Sequence, residues 1–288
     1  MKNFVPTFEM LEVRENPSIT SFFSAGVLSV AGDHAANKIS VTADAGGNLL
    51  VNGNTVAGAT RNSVALITVD GGAGNDTIII DKSVDTRDAN GVLVRSPDTQ
   101  LYGGDGNDTL LPQNGGIVGG LAGVINGVVV GPVVGNSVAF GGRGDDIFIS
   151  GPGNDQFYGG QGDDTYVWPP GTLTDIFDGG SGKDTATIIG NDNANDIFVL
   201  GAGPDGSALF QRTNLVNFSV FMKNVETVNL RPGTGSDQVF VNSLKGTDVV
   251  NVNVFTNDFV AADVVSITGT IGVKTNIIAD PFDTVTFA

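Results

Sequence analysis

The 288-residue chain contains no cysteine. That excludes a disulfide framework and any thiolate metal site, so an exported form would draw its stability from elsewhere. It has a single histidine, His34, which excludes the paired-histidine H-E-x-x-H site of zinc hydrolases. No G-x-S-x-G segment occurs, so the serine elbow of α/β-hydrolases is missing too. The sequence therefore reads as a non-enzyme, and His34 in AGDHAANK reads as an exposed turn residue. Basic residues are scarce: 14 Lys and Arg stand against 31 Asp and Glu, a net charge of −17. With no basic surface to meet phosphates, nucleic acid is excluded as a partner. No stretch reads as a transmembrane helix: the uncharged run within 112–140 is laced with Gly and Val rather than helix formers. The segment ITSFFSAGVLSV (19–30) is short and follows three Glu, unlike a secretory signal.

Glutamate is nearly missing as well. It occurs at Glu9, Glu12, Glu15 and Glu226, and the other 27 acidic residues are all Asp. Asp beside Gly and Asn belongs in turns, close to its own backbone, and cation-binding loops draw on such short acidic side chains. Glycine is abundant, at 42 residues, without the strict triplet period of collagen.

The glycines and aspartates are ordered. Residues 141–167 divide into GGRGDDIFI, SGPGNDQFY and GGQGDDTYV, with Gly fourth, Asp sixth and an aromatic eighth. Further full copies are GGAGNDTII (71–79) and GGDGNDTLL (103–111). GGSGKDTAT (179–187) keeps the loop but has Ala186 in the apolar place, and NDNANDIFV (191–199) and PGTGSDQVF (232–240) are weaker echoes. Six residues rich in Gly, Asn and Asp form a turn that visits positive φ. The three that follow are β-prone, and the middle side chain (Phe148, Phe157 or Tyr166) points to one face. Two nonapeptides then make one coil of a solenoid, and the large apolar side chains fill the space between two sheets.

Loops two repeats apart lie on one side, so Asp146 and Asp164, 18 residues apart, stack coil on coil. Neighbouring strands are ~4.8 Å apart, and carboxylates at that spacing repel unless something lies between them. A calcium ion binds oxygens at ~2.3–2.6 Å, so one ion spans the gap with oxygens above and below. By offset, Asp155 faces Asp175 on the opposite side, across the 11-residue segment WPPGTLTDIFD (168–178), which must bulge by two. Asp164 then meets Asp184, beside Lys183. Asp76 and Asp108 sit in good loops without a partner 18 residues away and are the weaker candidates.

These repeats resemble the hemolysin-type calcium-binding (RTX) family. The resemblance implies an all-β parallel β-roll, a β-solenoid of nonapeptide repeats, in a chain exported to the cell surface or beyond. It implies Ca2+ ligation by Asp146, Asp155, Asp164 and Asp184, with carbonyls near Gly142, Gly144, Gly160 and Gly162. The calcium roll spans 141–187. Residues 19–140 form a β-rich region with isolated repeats, and 188–288 a degenerate continuation or cap. Within the former, 112–140 is either a set of metal-free coils or a long insertion. Residues 1–18 resemble a short N-terminal tag of exported bacterial proteins. FDTVTFA (282–288) reads either as a secretion tail or as a last strand. Besides calcium ions, a cell-surface or extracellular polysaccharide is a candidate partner, with the roll as an adhesin or matrix scaffold. A secreted hydrolase is the least favoured alternative.

Overall fold

The computed structural model describes residues 18–112, 123–125, 128–130, 135–170, 173–192, 194–214, 217–256, 261–269 and 272–288. Alternating short apolar runs and Gly-rich turns leave nothing for a helix to form from. Among the described residues the sole helical piece is a 3-10 turn, Lys82–Val84. Two long sheets face each other, one of 13 strands and one of 11, and the chain passes back and forth between them.

The central coils are parallel and in register. In the first sheet Leu66–Ala73, Asp98–Asp105, Ser137–Arg143, Gln156–Gln161 and Asp175–Ser181 lie side by side, with Gly72, Gly104, Gly142, Gly160 and Gly180 aligned. In the second sheet Thr77–Ile80, Thr109–Pro112, Ile147–Ile149, Thr165–Trp168 and Thr185–Ile189 do the same. The spacing per coil is 18 residues from Gly142 to Gly160 and 20 from Gly160 to Gly180, so the chain does take up two extra residues after Trp168.

Two features depart from the sequence reading. First, the strands of the first sheet are not three residues long. They run through the glycine pair of the next repeat, as in Ser137–Arg143, which moves the turn onto the fourth to sixth positions. Glycine makes this possible because Gly142 keeps its place in the ladder at φ +114. Second, Asp98–Asp105 pairs directly with Ser137–Arg143, and Thr109–Pro112 with Ile147–Ile149. No coil intervenes, so the chain between them is an insertion. Within it Gly123–Ile125 and Val128–Val130 pair with each other, apart from both long sheets; 113–122, 126–127 and 131–134 lie outside the described residues. So does nearly all of the N-terminal tag.

The core lies between the sheets. Leu101, Ala139, Phe157 and Phe177 of the first face Leu110, Phe148, Tyr166 and Ala186 of the second, all fully buried. The rings interlock, Phe148 with Phe157 at 5.6 Å, Phe157 with Tyr166 at 5.2 Å and Tyr166 with Phe177 at 5.1 Å between centroids. Burying each such side chain is worth about 1.5–3 kcal/mol. Ala186, the odd residue of its repeat, occupies the inward place of Tyr166 one coil on.

Beyond Asp175–Ser181 the sheets cease to match. The first sheet takes in an antiparallel meander of Phe218–Lys223, Ala208–Arg212 and Ile197–Ala202, while in the second Thr185–Ile189 pairs directly with Thr227–Arg231. The extra width is filled from inside. Trp168 packs edge-on against Phe210 and Phe218, and Phe198 against Phe210. Parallel pairing then resumes to the last strands, Lys274–Ala279 and Thr284–Phe287. FDTVTFA thus ends as a strand. At the other end, antiparallel strands Thr20–Ser24, Asn48–Val51 and Asn54–Thr60 flank the sheets.

Candidate metal centre

The loops fall on two edges, and the edges differ. All the repeats with an intact glycine pair (71–79, 103–111, 141–149, 159–167 and 179–187) turn from the first sheet into the second. The degenerate ones, 150–158, 191–199 and 232–240, turn from the second into the first. The intact loops therefore form one continuous file.

In that file the sixth-position aspartates stack as expected, but a backbone amide lies between them. The Asp146 N–H donates to Asp164 Oδ1 at 2.8 Å, Asp108 N–H to Asp146 Oδ1 at 2.7 Å, and Asp164 N–H to Asp184 Oδ1 at 2.7 Å. Asp76 and Asp108, unpaired by spacing, join the same file: Asn37 N–H donates to Asp76 Oδ1, and Asp76 N–H to Asp108 Oδ1, each at 2.7 Å. The intervals of 32 and 38 residues are those between coils whose strands pair directly, Leu66–Ala73 with Asp98–Asp105 and Asp98–Asp105 with Ser137–Arg143. Glu226, which no motif pointed to, closes the file by accepting from Asp184 N–H at 2.7 Å.

A second, opposite ladder runs beside it. Fifth-position side chains accept from the fifth-position amide of the following coil: Asn75 Oδ1 from Asn107, Asn107 Oδ1 from Asp145, Asp145 Oδ1 from Asp163, and Asp163 Oδ1 from Lys183, at 2.8–3.0 Å. Sequence reasoning passed over these residues. Their signal was the Asn or Asp at the fifth place of every full repeat.

One oxygen of each sixth-position aspartate remains. Oδ2 of Asp76, Asp108, Asp146, Asp164 and Asp184 is buried without a hydrogen-bond partner among the described residues. The first glycine of the repeat makes room for it. A Cβ on Gly141 would overlap Asp146 Oδ2 and come within 2.7 Å of the Gly159 carbonyl oxygen; Gly71, Gly103 and Gly159 stand in the same relation to their own aspartates and the next coil's carbonyl. Carboxylate and carbonyl oxygens thus converge with no donor between them. Along the stack, the carbonyls of Gly142, Gly144, Gly160 and Gly162 point at the glycine α-carbons of the next coil, where any Cβ would collide.

Electrostatics follow from this crowding. The carboxyls are 0–2% exposed. Burial, with the neighbouring carboxylates of the file adding to it, pushes Asp146 up to about 7 and Asp76, Asp164 and Asp184 to about 6. Burial raises Asp108 as well. Oxygen-rich, donor-free and costly to ionise, this cradle fits a hard divalent cation. Among the described residues no three acidic or imidazole side chains cluster, so an ion here would complete its shell from backbone carbonyls.

The opposite edge brings Asp155 and Asp175 together, with Asp155 N–H donating to Asp175 Oδ1 at 2.9 Å and Ser137 N–H to Asp155 Oδ1 at 2.7 Å. Their second oxygens have protein donors. Tyr166 Oη donates to Asp175 Oδ2 at 2.7 Å, and the single Ser150 hydroxyl proton is shared between Asp175 Oδ2 at 2.7 Å and Asp155 Oδ2 at 3.3 Å. Burial and the charge of Asp175 hold the Asp155 carboxyl well above its usual range, and burial raises Asp175 to about 6. Further along, Asp196 has a cation of its own. Arg212 Nε lies 2.9 Å from Asp196 Oδ1, both side chains nearly fully buried, and Asn191 N–H donates to Oδ2 at 2.8 Å.

The model of the RTX calcium-binding nonapeptide repeat matches in four copies, over residues 68–79, 100–115 and 134–166. No curated protein matches the chain. The matched segments carry Asp76, Asp108, Asp146, Asp155 and Asp164. Asp184 lies outside them, although its loop continues the same file.

Proposed function

We propose that this chain, whose RTX nonapeptide repeats bind Ca2+, is a calcium-stabilised scaffold that works outside the cell or at its surface. Its ions lie along the edge of intact repeats, held by Asp76, Asp108, Asp146, Asp164 and Asp184 with carbonyls of the loop glycines, among them Gly142, Gly144, Gly160 and Gly162. One observation carries the reading: five buried carboxylate oxygens in file, each lacking a donor and each beside a glycine of its own loop. We leave Asp155 and Asp175 outside the ion file, because Tyr166 donates to Asp175 Oδ2 and the Ser150 hydroxyl lies within reach of Asp155 Oδ2.

Calcium here supplies the charge that the folded state lacks. Binding only to the folded state adds about 2.7 kcal/mol per site at hundredfold excess over Kd. Against a typical 5–15 kcal/mol of total stability, a few such sites decide whether the coils form. Extracellular modules bind calcium at ~10⁻⁴–10⁻³ M, which places folding after export. No described helix is long and apolar enough to cross a membrane. A stiff acidic solenoid suits adhesion or matrix structure, with a polysaccharide as partner.

Calorimetric titration of the full chain with calcium tests this. We expect several ions per chain and a β-type circular dichroism spectrum that collapses in chelator. No heat of binding, together with a spectrum indifferent to chelator, would sink the proposal.

A further inference from the structure

On the outer face of the first sheet, the residue before each glycine pair points to solvent, and these residues follow one another coil by coil. The file is Asp70, Tyr102, Phe140, Tyr158, Asp178, with Lys223 in register after it. The three aromatic rings stack face to face, Tyr102 on Phe140 at 5.3 Å and 7°, Phe140 on Tyr158 at 5.0 Å and 11°. Two of them keep more than a third of their surface exposed. Cross-strand stacking of this kind stabilises the sheet, but it does not account for what surrounds the ring at the end of the file.

The stack stops at Tyr158. One face of that ring is covered by Phe140. In the next coil the register position is held by Asp178, which has no ring to continue the stack. Tyr158 lines a groove of about 390 Å³ together with Ile176, Asp178, Asp205, Phe221 and Lys223, within the ~300–1,000 Å³ of small-ligand sites. Its polar groups are already set. Asn224 Nδ2 donates to Asp178 Oδ1 at 2.7 Å, which fixes the carboxylate, and Lys223 Nζ pairs with Asp205 Oδ2 at 2.7 Å.

We infer that this groove binds a neutral pyranose, whose apolar ring face lies on Tyr158 and whose hydroxyls reach Asp178, Asp205 and Lys223. The chemistry discriminates. An anion meets two carboxylates on a chain of charge −17. A purely apolar ligand gains nothing from a desolvated ion pair. A sugar has a flat C–H face for the ring and a rim of hydroxyls that both donate and accept, which matches carboxylates beside an ammonium. The site gives the extracellular scaffold its partner and takes its setting from that reading, but it is built from side chains outside the ion file.

The test uses the full chain in saturating calcium, with cellobiose, maltose, lactose and N,N′-diacetylchitobiose as probes. Saturation-transfer NMR and calorimetry detect binding, and indole is the aromatic control. We expect at least one disaccharide to bind saturably, with affinity about tenfold weaker in Tyr158→Ala and weaker also in Lys223→Met, which leaves the aromatic stack alone. Calcium stoichiometry measured on the same variants, expected unchanged, shows that they are folded. Absence of transfer from all four sugars, binding unchanged in both variants, or preference for indole overturns the inference. Sugar binding that persists in chelator would count against the calcium scaffold and leave this site standing.

Discussion

An aspartate in the sixth place of the intact nonapeptides carries two unlike oxygens. Oδ1 is a strut, accepting the amide of the coil before it, and Oδ2, buried without a donor, is the proposed ligand. Asparagine separates the two roles. In Asp164→Asn, the remaining Oδ1 still accepts the Asp146 amide, and the NH2 group enters a cradle that already holds the Gly179 carbonyl. A buried charge without a donor is exchanged for a neutral amide that has a carbonyl acceptor nearby. The Asp146→Asn/Asp164→Asn double variant should therefore melt a few degrees higher than the parent in chelator. It should also bind fewer ions and lose part of the calcium-induced rise. Thermal melts with and without calcium read both effects, and a double variant less stable in chelator would contradict the strut-and-ligand division.

Stacked as a file, the same carboxylates give the edge a pH response that no single loop would have. Each has a folded pKa raised from the usual 3.8, to about 7 for Asp146 and about 6 for Asp76, Asp164 and Asp184. Between those values the folded state binds more protons than the unfolded state, so stability falls as pH rises through the window. Without calcium, the roll should be more stable near pH 5 than near pH 7.5. Asp33 and Asp205, held low by hydrogen bonds, titrate below this range. With calcium the sign reverses, because protons and the ion compete for the same oxygens. Melting temperatures across pH 5–8 in chelator and in calcium decide it; parallel curves would refute the coupling.

Across the whole molecule, counter-charge is unevenly supplied. The file from Asp76 to Asp184 has buried carboxylate oxygens without a hydrogen-bond partner among the described residues, whereas Asp196 has Arg212, whose guanidinium also lies 5.3 Å over the Phe218 ring. With this fixed internal cation at the junction of the antiparallel meander, we expect the coils beyond it to hold together without calcium. Hydrogen exchange in chelator should show slow amides in Ile197–Ala202, Gln238–Val241 and Val264–Ile267 while those of Ser137–Ile189 exchange rapidly. Arg212→Met leaves Asp196 buried and uncompensated, at a cost of about 3–5 kcal/mol, and should abolish that protection. Uniform exchange along the native chain would show that the roll opens as one unit.

The nine-residue period by itself determined the parallel coil, the inward Phe148, Phe157 and Tyr166, the two-residue bulge after Trp168 and the meeting of Asp146 with Asp164. All of these are local in sequence, fixed by side-chain alternation and by constant spacing. What only the tertiary structure decided is whatever depends on where the chain returns. Asp76 and Asp108 join the file because the strands on either side of the long intervals after them pair directly and in register. The intact repeats all share one edge, and Tyr158 ends its stack beside Asp178. Arg212 meets Asp196 because a meander widens one sheet and not the other. A chain can leave a sheet for any length and rejoin it at the same rung, since loop closure costs little per added residue. Spacing alone therefore reads a partner only while the coils run without interruption.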